Sequence, residues 1–100
     1  MYRFARDVAG LDVFSLSEHD WQLGPADWDA VGELDAKYAE PGEFVTLPGF
    51  EWTSANHGHR NVYFRDAGAR MFDSGLAGSP RNTIEAGAPT PLDLWAYLDR

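Results

Sequence analysis

The sequence predicts an α/β fold with parallel strands, and three observations carry that expectation. Short apolar runs alternate with segments whose apolar residues fall at helical spacing, the order in which strand, helix and strand build a parallel sheet. The run Leu11 to Leu16 is nearly continuous in apolar residues, as in a strand covered on both faces. Two successive strands then finish in polar clusters, Glu18-His19-Asp20 and Glu51, at the sheet edge where parallel folds keep their chemistry.

The elements follow in order. Tyr2, Ala5, Val8 and Ala9 are spaced for one helix face, and Gly10 stands where that helix ends. A strand over Leu11 to Ser17 comes next. After Gly24-Pro25 a second helix places Trp28, Val31, Leu34 and Tyr38 on one face, with Gly32 weakening it and Pro41-Gly42 ending it. Phe44 to Leu47 reads as another buried strand, running into Pro48-Gly49-Phe50-Glu51-Trp52. A third strand is expected over Asn61 to Phe64. The stretch from Asp66 to Pro89, rich in Gly, Pro, Ser and Asn, reads as a long loop that shapes specificity. Thr90-Pro91-Leu92-Asp93 then opens a helix with a Thr cap, and Leu92, Trp95 and Leu98 supply its apolar face.

Composition narrows the function. With 100 residues the chain is one domain at most, and 44% hydrophobic with 14% aromatic residues argues for a packed core. A net charge of −8 argues against general binding to nucleic acid or an anionic membrane, since both need a basic surface, and leaves room for a local basic patch. There is no cysteine, so any metal must be held by His, Asp and Glu. No apolar run reaches membrane-spanning length and no signal-peptide pattern is present, which favours the cytoplasm while leaving the compartment open.

All three histidines, His19, His57 and His59, lie beside expected strand ends. Grouped with carboxylates on one edge, they form the donor set of a site for zinc, manganese or iron, whereas magnesium and calcium prefer all-oxygen shells. The plainer alternative is that His19 caps a strand and the other two decorate a loop. Glu51, between Phe50 and Trp52, must find a cation or hold its proton more tightly. It could pair with an arginine such as Arg60, bridge metals, or act as a general acid. Arg60 could stabilise a phosphate or simply sit solvated.

Three motifs in this order resemble a known family: Ser17-Glu18-His19-Asp20, then Leu47-Pro48-Gly49-Phe50-Glu51-Trp52, then Gly58-His59-Arg60-Asn61-Val62-Tyr63-Phe64. They look like the middle of a PHP (polymerase and histidinol phosphatase) domain, from a bacterial branch. That resemblance implies part of a distorted (β/α)7 TIM-like barrel with parallel strands, and a two- or three-metal cluster that hydrolyses phosphoesters of small phosphorylated molecules. Carried over by position, His19 and His59 are metal ligands and Glu51 is the carboxylate that bridges metals. His57 is the weaker candidate for the His59 role. Asp20 and Glu18 orient His19 or the attacking water, with Glu18 standing where family members more often carry Asp. The catalytic set is then Glu51, Asp20 and Arg60.

The family's His-x-His motif before the first helix and its later histidines and Asp-x-His have no counterpart here. The expectation is therefore an internal piece of such a domain, cut at both ends, whose complete metal site needs further ligands. Two other classes compete with this reading. One is a barrel glycoside hydrolase using Glu18 and Glu51 as its carboxylate pair. The other is a truncated, non-catalytic module that folds with a partner or as an oligomer, since an incomplete barrel exposes sheet edges.

Overall fold

A computed structural model describes residues 1–66, 68–71 and 90–100. The chain opens with a helical segment whose last part, Phe4–Val8, is a π-turn: Ala9 N–H reaches back to Phe4 O at 2.8 Å. Gly10, at φ 62°, turns the backbone out of the helix, and Leu11 N–H closes the end on Ala5 O. Tyr2 and Ala5 are buried as expected, but Val8 and Ala9 face solvent.

Among the described residues five short strands follow, β1 (Val13–Phe14), β2 (Ser17–His19), β3 (Val45–Thr46), β4 (Gly49–Trp52) and β5 (Arg60–Tyr63), with helices α1 (Pro25–Tyr38) and α2 (Pro91–Leu98). β1 pairs with β3 and β2 with β4, both parallel, so the α/β expectation holds at this level. The single strand expected from Leu11 to Ser17 is instead two. The matching interruption on the neighbouring run is Leu47-Pro48, where Pro48 O accepts from Phe64 N–H on the side away from the first run. Leu47 N–H still bonds Phe14 O at 3.1 Å, so the two runs stay side by side across the break. Nor is the first run covered on both faces: Leu11, Val13 and Val45 are each about half exposed.

β5 departs from the parallel expectation. It lies antiparallel to β4, with Glu51 opposite Asn61 and Trp52 opposite Arg60. The connection through residues 53–59 is too short for a crossover, which needs on the order of a dozen residues, so the chain can only fold back as a hairpin. The described strands make a two-stranded and a three-stranded sheet and do not close into a barrel.

α1 begins where Gly24-Pro25 predicts, with Gly24 N–H bonded to the Asp27 carboxylate at 2.9 Å and Pro25 in the first turn. Trp28 and Val31 are buried on it, and so is Asp35, a polar residue inside the apolar stripe. α2 carries the expected Thr90 cap, with Asp93 N–H bonded to Thr90 Oγ1 and Thr90 N–H to the Asp93 carboxylate. Its buried face is not the expected one. Leu94 is buried and Tyr97 packs on the core, while Leu92, Trp95 and Leu98 are exposed.

The core gathers Leu23, Trp28, Phe50, Trp52, Val62, Met71 and Leu94, with Phe64 and Tyr97 at its margin. Trp28 meets Phe50 edge-on at 6.0 Å, and Trp28 Nε1–H is satisfied by Ala69 O. Strand alternation puts Phe50 and Trp52 into this core and turns Glu51, between them, to the other side of the sheet. Most of the long loop expected over Asp66 to Pro89 lies outside the described residues.

Candidate metal centre

The sheet register builds the site. His19 is the parallel partner of Glu51, and Asn61 is its antiparallel partner on the other side, with His59 just before β5. Three residues distant in sequence thus meet on the face of β4 opposite the core. His19 Nδ1 lies against Glu51 Oε2, and His59 Nδ1 stands 3.2 Å from the same oxygen. One potential ligand atom from each of the three residues lies within 4.8 Å of the other two. The imidazole rings are 6.0 Å apart and nearly perpendicular.

The cluster is open to ions and small solutes: the side chains of His19, Glu51 and His59 are 40%, 23% and 49% exposed. Two imidazole nitrogens and a carboxylate oxygen at one point suit a borderline divalent metal of the zinc, manganese or iron type. The donor set fits a metal by its chemistry.

Behind the cluster the packing is tight. Asp20 is fully buried, and its Oδ1 accepts from Trp21 N–H at 2.8 Å and Thr53 N–H at 3.3 Å. It therefore sits outside the cluster and ties the end of β2 to the end of β4. Thr53 is buried as well, and its hydroxyl lies 3.0 Å from His19 Nδ1 and 3.3 Å from Glu51 Oε2. Trp21 stacks on the His19 ring at 5.6 Å. Sequence reasoning passed over Thr53 and Trp21. The signal for Thr53 was there: two residues beyond Glu51, it must share the Glu51 face of the strand.

The remaining expected site residues lie elsewhere. Glu18 is exposed and, one residue before His19, is turned to the opposite face from Glu51. Arg60 Nη1 donates to His57 O at 2.7 Å and Gly58 O at 2.9 Å, and its guanidinium lies over the Trp52 ring at 5.5 Å. Arg60 thus braces the 53–59 loop, and Glu51 pairs with imidazoles rather than with Arg60. His57 is exposed in that loop, its N–H bonded to Ser54 Oγ. Among the described residues no helix is long and apolar enough to cross a membrane.

What the fold and site define is a small α/β protein with a His-Glu-His cluster at a sheet edge. Residues 7–100 match the family model described as a protein of unknown function, DUF3604, and the chain belongs to that family. No curated protein and no solved structure matches it significantly.

Proposed function

We propose that His19, Glu51 and His59 hold a divalent transition metal, and that the chain supplies this part of a metal-dependent phosphoesterase site acting on small phosphorylated molecules. The observation that carries the proposal is the convergence of two imidazoles and one carboxylate, from three separate strand ends, on a solvent-accessible point. The three motifs that resemble a PHP domain contribute these same residues, and with them the expectation of a barrel and of further metal ligands.

A metal held there supplies Lewis acidity toward a phosphoryl oxygen and toward water. The chain's own part is to bind and to orient. Glu51 Oε2 lies against the Nδ1 atoms of both His19 and His59, so one point receives all three donor groups. Asp20 keeps the two strand ends together, so the ligands stay in register. The net charge of −8 disfavours polyanions, and small phosphoesters as the substrate class are what the PHP resemblance implies.

Metal analysis of the purified chain tests this reading. Zinc, manganese or iron should be retained by the wild type and lost by His19→Ala and Glu51→Gln variants. The loaded protein should then turn over an aryl phosphate. A wild type that takes up none of these metals, or that cleaves aryl glycosides without metal, overturns the proposal.

A further inference from the structure

We infer that Thr53 is a positioning residue, whose hydroxyl fixes the plane of the His19 imidazole and the rotamer of Glu51. It deepens the metal-site reading above, but its geometry stands without a metal. The Thr53 hydroxyl makes three short approaches: 3.0 Å to His19 Nδ1, 3.3 Å to Glu51 Oε2 and 3.2 Å to the Glu51 carbonyl oxygen. A hydroxyl has one proton to donate and two lone pairs to accept with. Within reach of both the His19 ring nitrogen and the Glu51 carboxylate, the hydroxyl can serve one as donor and the other as acceptor, whichever His19 tautomer is present. Thr53 thereby joins the His19 ring edge to the Glu51 carboxylate through one hydroxyl.

The threonine is itself held. It is buried, its χ1 is restricted by β-branching, and its N–H is anchored on the fully buried Asp20 carboxylate. The same carboxylate oxygen anchors Trp21 N–H, and Trp21 lies nearly parallel to the His19 ring, 25° between planes. His19 is therefore gripped twice from one anchor, in its plane by Thr53 and on its face by Trp21. His59, about half exposed, makes no such contact with Thr53 or Trp21 among the described residues. The better-held ligand is His19, and Thr53 is what holds its edge. A threonine held this firmly limits how far the His19 ring can turn away from Glu51.

Imidazole proton spectra of the metal-free protein test this directly, because the Trp21 ring current displaces the His19 ring resonances only while the two rings stay stacked. Wild type should show displaced His19 signals, with the exposed His57 as internal reference. Thr53→Val, nearly isosteric, should move the His19 signals toward those of His57. Thr53→Ser should restore them, and amide spectra report whether each variant is folded. Zinc affinity should fall in Thr53→Val and recover in Thr53→Ser. His19 signals that do not move in folded Thr53→Val overturn the positioning role, whatever the metal does. Signals that follow Thr53 in a protein that takes up no zinc uphold it and count against the metal reading alone.

Discussion

Tyr2 donates its hydroxyl proton to Asp35 Oδ1 at 2.8 Å, while Asp35 Oδ2 is buried without a hydrogen-bond partner among the described residues. Burial pushes the Asp35 carboxyl up from its ordinary range, and the Tyr2 bond pulls the other way without overcoming it. Burial, then the bond to Asp35, raises Tyr2 in turn. A carboxyl raised in the folded state favours folding most when protonated. Its contribution is whole below the unfolded value of about 4 and is lost as pH rises through the folded value. Asp35→Asn should therefore gain melting temperature relative to wild type at pH 7, and that gain should shrink as pH is lowered toward about 4. The same sign applies to Tyr2, whose contribution is lost as pH rises above roughly 10. Tyr2→Phe leaves Asp35 Oδ1 without its donor and should cost about 1–3 kcal/mol in urea denaturation.

At the scale of elements, α2 offers a clean contrast. Leu94→Ala should cost about 2–5 kcal/mol, because the side chain is buried in the core. Leu92→Ala, on the exposed face, should stay within about 0.5 kcal/mol by the same measurement. The start of β4 is the second test. A Cβ on Gly49 would stand 2.5 Å from Ser15 Oγ, 2.9 Å from Tyr63 and 3.0 Å from Val62 O, with strands on both sides. The hydroxyl can swing away; the Val62 carbonyl belongs to the β5 backbone and cannot. Gly49→Ala should thus destabilise by about 1–3 kcal/mol or more. Because β4 carries Glu51, it should also separate His19 from His59, read as lost metal affinity.

Across the whole molecule, the β2-β4-β5 sheet divides labour between its faces. Phe50 and Trp52 point into the core, and Glu51 between them points to the cluster. The core and the His-Glu-His cluster thereby draw on adjacent residues of one strand but on opposite sides of it. Phe50→Ala should remove about 3–5 kcal/mol, a large share of what a domain of this size has, and unfold the chain as followed by tryptophan fluorescence. Glu51→Gln, on the other side, should leave the melting temperature nearly unchanged while removing metal. Loss of both together in either variant would show that the faces are not separable.

Much of this was legible in the residues themselves. Gly24-Pro25 marked the start of α1, Thr90 and Asp93 capped α2, and Gly10 ended the first helix, because such signals are local and involve only neighbouring backbone groups. The meeting of His19 with Glu51 was legible too, as parallel strands carry their ends to one edge. The tertiary structure decided what depends on partners far away in the chain. The break in the first strand became visible only in its pairing with the second run, and the short 53–59 connection forced β5 antiparallel. Which face of α2 is buried was settled by the core that receives Leu94, since Leu92, Trp95 and Leu98 make an equally good stripe by spacing. Alternation placed Thr53 on the Glu51 face, but its bonds to His19 and Asp20 form only when two strand ends are brought together, because a hydrogen bond across thirty-odd residues leaves no mark in local sequence.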